Sequence, residues 1–490
     1  MTESGKTELH DRDDSLSMMD STKNSRNNRC LKIQLISAKI AYFFTYCFLG
    51  SYKPYIVVFL TSIGLSASKA GLIFGICQLA SFLFSPVWGV LIDRTGKKIL
   101  FTFVMLFGIF ATLFSAPWIA AKYKCDQSIT GYVSFNHSSN SNISASSKAC
   151  LYKDGSRTLF YTMLVVFTVC SMCDQPFFAF FDSVVTRIVS LYKDEVTFGQ
   201  QRTFGSIGYA AAAFVSGLVA DNFKHPILSP YSAVFFVLLP FLIVSIPFVV
   251  SLVRKATFRN EGEKKENKQT TMLMKLAFKT CCKLDNFVFL LTVFVKGAMS
   301  GLMNSFLFVF MEKEMHSNKS VMALSVVVAC ISEAAIFSFA SLIITKLKGP
   351  IQCLIIGLFS ICIRFIIFSF VRNPWLILPC QLSHALDFAL FWGASVEQTK
   401  RISPKDILAT MFGILYSLHF ALASLISSIA GGVIYDAFGG RMLFRGAGIV
   451  GCVWCAMVIF YNYIWKCTPP LNARNNDSTI NEMLNKSSDL

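Results

Sequence analysis

The sequence predicts an all-α membrane protein, with twelve transmembrane helices in two six-helix bundles. Three observations carry that prediction. Hydrophobic residues make up 54% of the 490 and the mean hydropathy is +0.55, too apolar a balance for the surface of a water-soluble chain. The apolar residues fall in unbroken runs of about 20, the length that an α-helix needs to cross the hydrocarbon core. They show none of the short alternating segments of a transmembrane barrel. Basic clusters then sit at the ends of these runs, at "DRTGKK" (93–98), "RKATFRNEGEKKENK" (254–268), "TKLK" (345–348) and "KRISPK" (400–405). With the N-terminus inside, all of them fall on the cytosolic side, as the positive-inside rule requires. The chain's net charge is +17, but its basic residues cluster at the ends of apolar runs, so nucleic-acid binding is not expected.

The elements follow in order. Residues 1–36 are rich in Ser, Asn, Asp and Arg, with no cleavable signal, and read as a disordered cytosolic tail. An N-terminal bundle over 37–253 holds runs near 38–60, 67–91, 98–121, 158–183, 200–220 and 229–253. A basic cytosolic linker (254–284) leads to a C-terminal bundle over 285–467. Its runs lie near 286–310, 321–344, 350–371, 374–396, 408–435 and 443–466, and 468–490 is a second cytosolic tail. The longest outside loop, 122–157, carries glycosylation sequons at Asn136 and Asn142, and a third stands at Asn318. Asn476 and Asn485 also begin sequons, on the cytosolic side, where they stay bare. Cys125 and Cys150 share the outside loop and are a disulfide candidate. "CSMC" (170–173) and "CVWC" (452–455) lie within spans without histidine or carboxylate company, and read as small apolar fillers. No P-loop, zinc pattern or nucleophile elbow is present, so neither enzyme activity nor a cofactor or metal is expected.

One short stretch repeats. The fifth run ends "SGLVADNF" (216–223) and the eleventh "GGVIYDAF" (431–438), each at the same place in its half. Repeated halves with a solute at their interface are a transporter architecture.

Ionisable groups inside a span cost about 3 kcal/mol on insertion scales and are functional candidates. Four stand near the middle of their runs: Glu333 in the eighth, Arg364 in the ninth, His384 and Asp387 in the tenth. His384 and Asp387 are i, i+3 and share a face. An arginine beside two carboxylates and a histidine is a proton-coupling device, because moving the arginine changes a carboxylate's proton affinity. The bland alternative is a fixed ion-pair network. The roles of Lys296, Asp174 and His419 stay open. In the first half, Asp182 ends the fourth run, Arg202 begins the fifth and Tyr209 follows two turns on. An arginine–carboxylate pair with an aromatic platform suits a hydroxylated ring. By position alone, Arg202 reads as a topology charge.

The decapeptide "GVLIDRTGKK" resembles the loop signature of the major facilitator superfamily, Gly-x-x-x-Asp-Arg-x-Gly-Arg/Lys-Arg/Lys. On that match Gly89, Asp93, Arg94, Gly96, Lys97 and Lys98 form a gating loop. Gly89 is expected to let two helices approach, Gly96 to permit the turn, and Asp93 to meet a helix N-terminus or a cation. "FFTYCFLGSYKPYIVVFL" (43–60) and "FGQQRTFGSIGY" (198–209) resemble helices 1 and 5 of the lactose-permease type of oligosaccharide:proton symporter. The resemblance implies sugar-binding roles for Arg202 and Tyr209, and for Asp182 with a register offset. It implies binding for Glu333, and proton translocation for Glu333, Arg364, His384 and Asp387. Asp387 stands where that group has a glutamate, and Tyr209 where it has a tryptophan. "SFLFSPVWGVLIDRTGKK" and "FALFWGASVEQTKRISP" are similar to the animal group of major facilitator superfamily domain-containing protein 6-like chains. The expectation is a monomeric secondary transporter that couples a small polar solute to protons, in the plasma membrane rather than an endolysosome. A receptor or scaffold of the same fold, binding through the 122–157 loop, is the rival class.

Overall fold

The computed structural model describes residues 33–135, 155–189, 198–257, 270–347, 349–404 and 407–467. Twelve long helical segments follow the apolar runs, and no strand occurs among the described residues. The first half comprises α1 (Ile33–Ser62), α2 (Ala67–Thr95), α3 (Lys98–Phe135), α4 (Gly155–Val189), α5 (Phe198–Asn222) and α6 (Val234–Thr257). The second comprises α7 (Leu284–Lys313), α8 (Lys319–Lys346), α9 (Pro350–Phe370), α10 (374–402), α11 (408–438) and α12 (440–467). Among the described residues, ten continuous segments are long and apolar enough to cross a membrane. The count reaches twelve because the last of the ten is two helices joined at Gly439 (φ 79°), and because α10 is interrupted.

The interruption of α10 has a local cause. Pro379 contributes no N–H to the ladder, and the chain tightens into i→i−3 bonds, Leu382 N to Pro379 O (3.2 Å) and Ser383 N to Cys380 O (3.2 Å). It then widens into a π-helical turn, Ala385–Leu390, before resuming as an α-helix at Phe391. A second π turn, Ser417–Leu422, sits in α11. Single π turns inside α-helices cluster at functional sites.

Two features differ from the sequence expectations. α3 continues to Phe135, so the start of the expected outside loop is helical. Residues 270–281 of the expected linker form a short helix, whose Ala277 packs with Ile407 and Met411 at the start of α11. Asn136, Asn142, Cys150, Asn476 and Asn485 lie outside the described residues, as do the side chains of Cys125 and Asp93. Asn318 is exposed at the N-terminus of α8.

The two halves meet at the end that carries the α1–α2, α5–α6, α7–α8 and α11–α12 connections, the outer end in the orientation expected from the basic clusters. There the sequence repeat becomes structure. Asp221 at the end of α5 accepts hydrogen bonds from the backbone N–H groups of Lys319 and Ser320 (2.8 Å each) and from the Ser320 hydroxyl, capping α8 of the other half. Asp436 at the end of α11 does the same for α2, through Ala67 N (2.9 Å), Ser68 N (2.8 Å) and the Ser68 hydroxyl. A carboxylate on a helix N-terminus meets both unpaired donors and the positive end of the dipole. The repeated glycines make room for these contacts. A Cβ on Gly217 would lie 2.8 Å from Lys319 O, and one on Gly432 would lie 2.7 Å from Ala67 O.

The inner end is open. Gly89 and Gly413 face empty space, and Arg94 is exposed. Gly89 therefore does not bring two helices together in this conformation. A cavity of about 390 Å³ lies beside it, lined by Trp88, Ile92, Lys98, Phe180 and Arg187. Gly96 does take the left-handed conformation (φ 66°) that ends α2 and permits the turn.

Candidate functional site

In the first half, small residues let α1 and α5 close up. A Cβ on Gly50 would collide with the Tyr209 backbone, and one on Gly208 with the Phe43 carbonyl. A Cβ on Gly205 would lie 3.0 Å from the Tyr46 ring. This packing places Tyr42 and Tyr46, one turn apart on α1, beside the start of α5. The Tyr42 hydroxyl donates to Asp182 Oδ1 at 2.8 Å, and Arg202 Nη1 lies 3.9 Å from Asp182 Oδ2. Half of the Arg202 side chain is exposed, so the guanidinium is available to something in the central space.

In the second half, the π turn of α10 holds Asp387. Arg364 Nη1 on α9 stands 3.0 Å from Asp387 Oδ2, and His384 Nδ1 stands 3.2 Å from Oδ1. The other imidazole nitrogen, Nε2, lies 3.9 Å from Glu333 Oε2 on α8. His384 thus lies between two carboxylates, with the Phe388 ring stacked on it at 5.3 Å. Arg364 and Asp387 are buried, while His384 and Glu333 are partly open. The arginine contact is close but poorly aligned: Oδ2 has no hydrogen-bond donor, Arg364 Nη1 donates instead to Gln381 Oε1 (3.2 Å), and its Nε is unpartnered. It is an attraction between charges rather than a bidentate clamp.

The halves face each other through these groups. Glu333 interacts electrostatically with Arg202 across the interface as well as with His384, and Tyr209 interacts with Glu333. Arg202 also interacts with Tyr416 of α11, whose ring packs edge-on against Trp392 at 4.9 Å. One wall therefore holds an arginine–aspartate pair backed by the buried Tyr42 hydroxyl, and the other presents carboxylates, imidazole and aromatic rings. Such a site can hydrogen-bond hydroxyls, stack a ring and exchange a proton. Among the described residues no group of three His, Cys, Asp or Glu side chains could hold a metal.

All seven of the expected solute and coupling residues converge here, whereas the loop over 89–98 lies away from them at the inner end of the first half. Tyr42, Tyr46, Gln381, Trp392 and Tyr416 escaped the sequence reading. The i, i+4 spacing of the two tyrosines on α1 was the available signal. Asp174 forms a buried ion pair with Lys53 (2.7 Å) where a 3₁₀ turn, Lys53–Tyr55, interrupts α1. His419 lies in the α11 π turn with Nδ1 3.3 Å from Val293 O.

The comparisons with known proteins give the family and the fold. A model of the MFS_1 like family matches residues 35–446. The chain belongs to that family of major facilitators. It is a multi-pass integral membrane protein. It is 29% identical over 170 residues to "Major facilitator superfamily domain-containing protein 6-like protein B" of Xenopus laevis, covering 35% of this chain and 27% of that one. The matched part thus spans about a quarter of that relative's length. Escherichia coli "Sucrose permease" is 22% identical over 274 residues, 54% of this chain and 61% of the permease. Among solved structures, the nucleoside transporter NupG superposes with a TM-score of 0.66 at 14% identity, covering 87% of this chain and 98% of that one, which shows the shared fold.

Proposed function

We propose that this major facilitator is a proton-coupled transporter of a small hydroxylated solute, working by alternating access at the plasma membrane. The observation that carries the reading is the His384 bridge between Glu333 and Asp387, with Arg364 behind it, on the wall opposite Arg202 and Asp182. Proton and solute then compete for, or cooperate through, the same few groups. Protonating Asp387 removes the charge that attracts Arg364, and deprotonation restores it. The sugar and nucleoside in the names of the sucrose permease and NupG support a hydroxylated ring as cargo. A fixed ion-pair network would have no need of the partly open His384 and Glu333.

The test uses purified protein in liposomes under an imposed inward proton gradient, with a panel of labelled sugars and nucleosides. The wild type should accumulate one class above equilibrium. Asp387→Asn keeps the shape but cannot release a proton, so it should lose uphill accumulation while retaining exchange between loaded faces. Uphill uptake that survives Asp387→Asn removes Asp387 from the coupling role. Gradient-independent, non-accumulating flux in the wild type removes proton coupling altogether.

A further inference from the structure

Lys296, on α7, is 1% exposed and lies at mid-span. Its ammonium donates to Ser300 Oγ (2.9 Å) and otherwise rests on two ring faces, Phe388 at 5.0 Å and Phe391 at 5.4 Å. Among the described residues no carboxylate lies within 4.0 Å of it. An ammonium carries three donors, so burying it with one hydrogen bond costs several kcal/mol. A methionine would fill the same space without that cost. Phe388 and Phe391 follow Asp387 on α10, one residue and one turn on, which brings the ammonium to the turn that carries the carboxylate.

We propose that Lys296 is the second counter-cation of Asp387, taking the carboxylate over when Arg364 leaves it during the transport cycle. Asp387 Oδ2 is free to accept, because the Arg364 contact leaves it without an aligned donor. The charges balance for such an exchange. Glu333 on α8 and Asp387 on α10 face two cations, Arg364 on α9 and Lys296 on α7, with His384 lying between the carboxylates. Lys296 interacts electrostatically with Asp387, Arg364 and Glu333, and with His419 on α11. The π turn under Asp387 provides the slack for a small rotation, since its backbone is wider than an α-helical turn. Asp387 then has a cation beside it in both arrangements, so the carboxylate itself is never left bare in the membrane.

The inference rests on the coupling role proposed for Asp387, and the experiment separates the two. Infrared titration of the purified protein reads the carboxylic acid C=O band of Asp387, identified by its loss in Asp387→Asn, and needs no solute. Removing a nearby cation makes a carboxylate easier to protonate, so Lys296→Gln should raise the midpoint by about one pH unit or more. Lys296→Arg should leave it in place. An unmoved midpoint in folded Lys296→Gln overturns the proposal, since a lysine that only fills space would not move it. Should Lys296→Gln fail to fold, Arg364→Gln decides. Lys296 as partner keeps Asp387 ionised at neutral pH, and an acid band at neutral pH in that variant overturns the proposal. Absence of gradient-driven uptake by the wild type would remove the coupling role while leaving this pairing readable.

Discussion

At the level of single residues, the candidate groups that the sequence exposed are those whose burial is expensive. Glu333, Arg364, His384 and Asp387 stand out because a charge at mid-span has no cheap explanation, and the structure places them together. Tyr42, Tyr46 and Tyr416 were illegible for the opposite reason. Aromatic residues near span ends are ordinary interface anchors, and only the fold turns these three toward the centre. Arg202 was ambiguous at the start of a span and gains its meaning from Asp182 and Tyr42. If its fork binds solute, Arg202→Lys should be nearly as damaging as Arg202→Ala, each lowering uptake at least tenfold, because an ammonium cannot reproduce two parallel N–H bonds. Initial uptake rates of the two variants check this. Full activity of the lysine variant would return Arg202 to a topology charge.

At the level of elements, run positions were readable and their irregularities were not. The apolar runs gave all twelve helices, but the π turns of α10 and α11 leave no hydropathy trace, since they change the backbone path and not the composition. The seam between α1 and α5 was equally hidden. Nothing in the run marks Gly208, yet a Cβ there would collide with the Phe43 carbonyl. Gly208→Ala should force the helices apart and cost about 2 kcal/mol, the usual scale for overpacking. Thermal unfolding in detergent should show a lowered midpoint. Solute affinity should fall too, because Tyr46 and Arg202 sit on the two helices being separated. An unchanged midpoint would mean that α1 has a softer neighbour than the packing indicates.

At the level of the whole molecule, the repeat "SGLVADNF" and "GGVIYDAF" was visible as a pattern, but its purpose was not, because each aspartate acts on a helix of the opposite half. The two contacts are related by the exchange of halves, so they work as one closure provided that the halves move as rigid bodies. Each cap is worth about 2 kcal/mol, combining a dipole contribution with hydrogen bonds to a charged acceptor. Asp221→Asn or Asp436→Asn should therefore raise the outward-open population roughly thirtyfold, since each 1.4 kcal/mol is tenfold. Hydrogen–deuterium exchange at the amides of Ala67, Ser68, Lys319 and Ser320 reports the opening without any label. Local fraying would speed exchange only at the helix start whose cap was removed. A rigid two-state closure makes a stronger demand: Asp221→Asn must also speed exchange at Ala67 and Ser68, although their own partner, Asp436, is intact. The double variant should multiply the two effects, because the caps lie on different helix pairs and share no partner. Acceleration confined to the mutated side would mean that the two closures open independently.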